Sequence, residues 1–114
     1  MKLSTLVDQR LVKAGLAART RDAALSELLT LPGARRLPVA RDELFRLLAE
    51  RERAGSTGLG AGVALPHCRC EGLTRPVLLV GTSGGGLDFG SPDGAPVRLV
   101  LLLLSPISEP GLHL

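Results

Sequence analysis

The sequence predicts an α/β fold: a single domain over residues 1–114 in which a small mixed β-sheet is flanked by helices in three layers. Three observations carry this expectation. The first half holds two segments whose leucines recur at helical spacing, and the second half holds near-continuous apolar runs of strand length. Clusters of Gly, Ser and Pro separate these segments.

Taken in order, residues 1–8 predict a helical turn through Leu3, Leu6 and Val7, and Leu11 and Val12 begin a short strand ending near Gly15. Thr20 reads as an N-cap for a helix carrying Ala24, Leu25, Leu28 and Leu29, which Pro32 and Gly33 should end. A second helix is expected over residues 40–54, with Leu44, Leu47 and Leu48 on one stripe, Arg46, Glu50 and Arg53 facing outward, and Gly55 as the stop. Strands are expected over residues 62–65, 76–82 and 97–104. The last two are apolar on both faces, which predicts a sheet covered on both sides. Between them, Ser83, Gly84, Gly85, Gly86 and then Ser91, Pro92, Asp93, Gly94 are turn chemistry around the extended piece Leu87, Asp88, Phe89.

Composition narrows the function. Hydrophobic residues make up 45% of the 114 residues and aromatic ones only 2%, so the core must be Leu, Val and Ala, with Phe45 and Phe89 its rings. A base-stacking surface for single-stranded nucleic acid is excluded. The formal charge of +3 is spread among acids, as in Arg41, Asp42, Glu43, so no basic patch points to nucleic acid. The apolar run at residues 99–104 is far short of the roughly 20 residues a membrane span needs, and no leader segment precedes it, so a cytoplasmic protein without membrane insertion is expected. Cys68 and Cys70 are too close for an unstrained disulfide and are expected as reduced thiols.

The stretch from Ser56 to His67 carries the chemistry: Ser56, Thr57, Gly58, Leu59, Gly60, Ala61, Gly62, then Val63, Ala64, Leu65, Pro66, His67. Its glycines do not spell a dinucleotide loop, which needs a strand before and a helix after, and no Gly-x4-Gly-Lys-Ser/Thr string exists for a P-loop. Pro66 should stop the strand, leaving His67 just past its C-terminal end, where α/β folds expose chemistry. A neutral imidazole is a competent nucleophile near pH 7, since its reference pKa is about 6.5.

Several motifs stand in register around this stretch. They are Leu47 to Glu52, Ser56 to Gly62, Leu65-Pro66-His67, Gly86-Leu87-Asp88-Phe89 with Asp93-Gly94-Ala95-Pro96-Val97, and Pro106 with His113-Leu114. Together they resemble the fructose/mannitol-type enzyme IIA domains of the bacterial phosphoenolpyruvate sugar phosphotransferase system, including the nitrogen-regulatory branch. The resemblance implies a phosphotransferase that takes a phosphoryl group on His67 from the histidine-containing phosphocarrier protein and passes it to a cysteine of an enzyme IIB domain. It implies catalytic companions in Arg51 and His113, with the hydroxyls of Ser56 and Thr57 offered to the phosphoryl oxygens, and neither metal nor other cofactor. It also implies a further helix, strand and helix after Leu114, so the last elements are expected to be missing. An unpaired sheet edge left by that loss would invite self-association, and a non-catalytic remnant is one alternative. Another is a regulatory module whose phosphorylation state governs its binding to regulatory targets.

Bland readings stand beside these. Arg51 also suits a helix C-terminus on dipole grounds, and His113 at the penultimate position suits a frayed tail. His67, Cys68, Cys70 and His113 spell a crowded zinc set, against two ordinary thiols on a strand exit. Asp88 and Asp93 fit turn caps better than magnesium ligands.

Overall fold

The structure, a computed structural model, describes residues 9–107. After a 3-10 turn at Gln9–Leu11 come β1 (Val12–Lys13), α1 (Arg21–Leu29), α2 (Pro32–Arg35) and α3 (Arg41–Ala54). Then follow β2 (Gly58–Gly60), β3 (Val63–Ala64), β4 (His67–Cys70), β5 (Val77–Leu87) and β6 (Val97–Pro106). The α/β class, the mixed sheet and the flanking helices are those the sequence predicts. The helical turn read into residues 1–8 lies outside the described residues.

Helix α1 starts where the sequence places it. Thr20, in an extended conformation, accepts a hydrogen bond on its side chain from the Ala23 amide at 3.2 Å. This satisfies one of the first-turn donors that a helix cannot bond internally. Pro32 does more than end α1: its fixed φ suits a first helical position, and it opens the single turn α2. Helix α3 begins at Arg41 after Ala40 with Asp42 and Glu43 in its first turn, and its last turn carries Arg51 and Arg53, the charge order that a helix dipole favours. Gly55 caps it with φ 160°, an extended conformation rather than a left-handed one.

The sheet has six strands in the order β1-β5-β6-β3-β2, with β4 also on β6. Strand β6 is its axis: β5 runs antiparallel along one side, and β3 and β4 run parallel, end to end, along the other. Two readings from sequence are corrected here. Residues 83–86 continue strand β5 instead of turning, with the ladder to β6 shifting register between Thr82 and Leu87. The glycine cluster, which by composition only separates regular segments, itself contains a strand, because Gly58–Gly60 pairs antiparallel with β3.

Alternation along the strands sorts the side chains. Leu79 of β5 and its partner Leu102 of β6 share a face with Val100, Leu104, Ala64 and Cys70, and pack into one core with Leu25, Leu28, Leu44 and Leu48 of the helices. On the opposite face the cross-strand pair Leu78 and Leu103 is also buried. The centre of the sheet is therefore shielded on both sides, as two apolar runs require.

Candidate functional site

The site is assembled where α3 ends and the β2–β3 hairpin begins. Leu44, Leu48 and Glu52, spaced four apart, are the buried residues of α3. Glu52 thus continues a leucine stripe with a carboxylate only 4% exposed. Burial of a charge is costly unless it is hydrogen-bonded, and both described partners of Glu52 are on Thr57. The Thr57 amide donates to one carboxylate oxygen at 3.2 Å, and the Thr57 hydroxyl donates to the other.

Ser56 is tied down as well. Its hydroxyl donates to the Phe89 carbonyl and accepts from the Gly58 amide at 3.0 Å. Gly58 then passes so close to Ser91 that a Cβ there would overlap the Ser91 hydroxyl. Only glycine permits that approach. Both hydroxyls expected to face a phosphoryl group are thus engaged with protein acceptors, and each can serve a phosphate only by exchanging its partner.

The hairpin turns on Ala61 and Gly62, at φ 56° and 82°. Positive φ at both central residues matches the twist of a two-residue hairpin. Asp93 holds the turn from outside: one carboxylate oxygen accepts from Ala61 at 2.9 Å and the other from Ala95 at 3.0 Å. These two amides, Ala61 first, hold the Asp93 carboxyl below the usual carboxylate range. Asp88 caps its own turn through the Gly90 amide at 2.8 Å.

Past the hairpin the chain is anchored twice. The Leu65 amide donates to the Thr57 carbonyl at 3.0 Å, and the Pro66 carbonyl accepts from Leu103 at 2.9 Å. Pro66 therefore does not end the pairing. His67 opens β4, opposite Leu103 on β6, and is half-buried on the face away from the helices. Its Nδ1 lies 2.8 Å from the Leu65 carbonyl oxygen. A carbonyl only accepts, so the proton sits on Nδ1 and the lone pair on Nε2 is left free.

The neighbouring thiols point the other way. Cys68 and Cys70 stand opposite Leu104 and Pro106, toward the core. Burial, with smaller contributions from Cys70 and the Glu43 charge, pushes the Cys68 thiol up to about 12. Burial, then Glu43, also raises Cys70. Both are protonated at neutral pH and poor metal ligands. Among the described residues no three His, Cys, Asp or Glu side chains come together in a way that could hold a metal ion. Nor is any described helix long and apolar enough to cross a membrane.

Of the other residues singled out from sequence, Arg51 donates from its guanidinium to the Gly55 carbonyl at 2.7 Å, closing the end of its own helix. His113 lies outside the described residues. Sequence reasoning passed over Glu52 and its bond to Thr57. The signal was present: an acid at the fourth residue after Leu48, on the stripe that also carries Leu44.

Residues 5–114 match the family described as the phosphoenolpyruvate-dependent sugar phosphotransferase system, EIIA 2. A nitrogen regulatory protein of Pseudomonas aeruginosa is 44% identical over 71 residues, 62% of this chain and 46% of that protein. The chain thus matches less than half the length of that relative. The fructose-specific EIIA component of the phosphotransferase system in Haloferax volcanii is 29% identical over 112 residues, 98% of this chain and 73% of that one. Among solved structures, the nitrogen regulatory protein IIA-Ntr of Neisseria meningitidis superposes with a TM-score of 0.83 at 28% identity, covering 93% of this chain and 72% of the other. A complex of enzyme IIA mannitol with phosphorylated enzyme IIB mannitol from Escherichia coli gives 0.68 at 21% identity, covering 90% and 72%. In that system a IIA domain and a IIB domain are partners.

Proposed function

The chain belongs to the EIIA 2 family of the phosphoenolpyruvate-dependent sugar phosphotransferase system, and on that premise we propose that it is a phosphocarrier whose acceptor is His67. The observation that carries this reading is the Nδ1 contact with the Leu65 carbonyl, because it leaves Nε2 as a nucleophile without requiring a general base. The Nε2 lone pair attacks the phosphorus of a phosphohistidine on the histidine-containing phosphocarrier protein. A new N–P bond forms as the donor's N–P bond breaks, and the donor imidazole keeps the electron pair. In the second transfer the thiolate of an enzyme IIB cysteine attacks the same phosphorus and His67 leaves neutral. No water takes part, so the transfer potential is kept. The source of the phosphoryl group, phosphoenolpyruvate, is a cytoplasmic metabolite, which puts the relay in that compartment.

Such transfers pass through a loose transition state in which positioning and charge stabilisation do most of the work. In this reading Arg51 supplies the cation, after releasing the Gly55 carbonyl, and Ser56 and His113 supply further donors, while the Thr57 hydroxyl expected beside them stays committed to Glu52. The test is incubation with phosphoenolpyruvate, enzyme I and the phosphocarrier protein. The chain should acquire one acid-labile phosphate, and His67→Ala should acquire none; label persisting in that variant would overturn the assignment.

A second reading is favoured by the 44% identity to a nitrogen regulatory protein: the phosphorylation state of His67 controls binding to a regulatory partner instead of feeding sugar uptake. Pull-downs with phosphorylated and unphosphorylated protein separate the two. Retention of a sugar-specific IIB domain alone would support transport.

A further inference from the structure

A carboxylate buried in the last turn of a helix is doubly out of place, since burial and the negative end of the helix dipole both oppose it. Glu52 occupies that position, and its two described hydrogen bonds go to the amide and the hydroxyl of one residue, Thr57. From Thr57 the connection continues. Its carbonyl accepts from the Leu65 amide at 3.0 Å, and the Leu65 carbonyl lies 2.8 Å from His67 Nδ1. The strap therefore crosses from the end of α3, over the base of the hairpin, to the imidazole in three steps.

We propose that Glu52 is a positioning residue for His67: by clamping Thr57 on both its amide and its hydroxyl, it fixes the Leu65 carbonyl against Nδ1 and so holds the imidazole in the tautomer that frees Nε2. This rests on the reading of His67 as the phosphoryl acceptor. Glu52 itself touches no reacting atom. The alternative to a fixed carbonyl is a ring that turns and exchanges tautomers, with Nε2 protonated for part of the time. The clamp acts by geometry, so an uncharged side chain of the same shape should preserve it. A Gln at position 52 can accept from the Thr57 amide and donate to the Thr57 oxygen.

The experiment records the ring nitrogen spectra of the protein labelled with 15N-histidine above the imidazole pKa, and in parallel the rate of phosphoryl acceptance at saturating donor. His67→Ala assigns the His67 signals. Wild type should show the Nδ1–H tautomer alone. Glu52→Ala should show a mixture and a roughly ten- to hundredfold slower maximal rate, with little change in the donor concentration needed for half-saturation. Glu52→Gln should restore both readouts. If Glu52→Ala does not fold, Thr57→Val, which removes one of the two clamp bonds, should show the mixture in its place. An unchanged tautomer in Glu52→Ala or Thr57→Val, or a Glu52→Gln protein as mixed as Glu52→Ala, overturns the proposal. If wild type takes no phosphate, the phosphocarrier reading fails, while the tautomer spectra still decide the role of Glu52.

Discussion

The Asp93 carboxylate reaches across 32 residues of chain to hold the Ala61 amide at 2.9 Å, so the loop before β6 clamps the tip of the hairpin that leads to His67. Because the folded-state carboxyl titrates below its ordinary value, the clamp contributes fully above the normal carboxylate range and is lost as pH falls through the lower, folded value. The protection of the Ala61 amide against exchange, measured by NMR relative to an unstructured peptide at the same pH, should therefore persist from neutral pH into mild acid and fall only in strong acid. In Asp93→Asn the acid-dependent step should vanish.

Ala61 holds a left-handed φ of 56°, a conformation that costs a residue with a Cβ about 1 kcal/mol. Asn accepts this region more readily. Ala61→Asn should raise stability by about 0.5–1 kcal/mol and the Tm by roughly 3–5 °C in a thermal melt. Ala61→Val, branched at Cβ, should lower it.

Leu48 is fully buried between the helices and the sheet, in a core with two rings at most to fill gaps. Leu48→Ala should cost about 3 kcal/mol, through lost burial and the cavity left behind. Urea unfolding should show a lower midpoint with an unchanged slope.

The Cys68 thiol, pushed up to about 12 by burial, holds almost no thiolate at pH 8. Alkylation by iodoacetamide should be slow for the native protein and reach two equivalents only in denaturant. Rapid modification of Cys68 in the folded state would show that β4 opens readily from β6.

The parts of this fold that local chemistry dictates were legible in the sequence. Thr20, Pro32 and Gly55 mark helix boundaries through their own backbone preferences, and the leucine stripes of α1 and α3 follow from the helical period. Strand β4 was not legible, because Pro66 signals a stop and residues 67–70 carry no alternating apolar pattern. Pro66 lacks an amide proton but keeps a carbonyl, and that carbonyl takes the Leu103 amide, so the ladder simply continues at His67. Likewise residues 83–86 read as a turn by composition and are drawn into β5 by the strand beside them. At the site, His67 stood out by its motif. The commitment of the Ser56 and Thr57 hydroxyls to Phe89 and Glu52 depends on contacts that no spacing rule encodes.

Strand β6 is the last of the described strands to be synthesised, yet β3, β4 and β5 all take their register from it. As the chain leaves the ribosome, only the β2–β3 hairpin and the short β1–β5 pairing can form before residues 97–106 emerge. Until then the apolar run of β5 has little to pair with, and neither His67 nor the carbonyl that faces it has a fixed place. A nascent chain stalled short of Val97 is therefore a natural client for a chaperone, and His67 gains its place only once the strand beside it has been made.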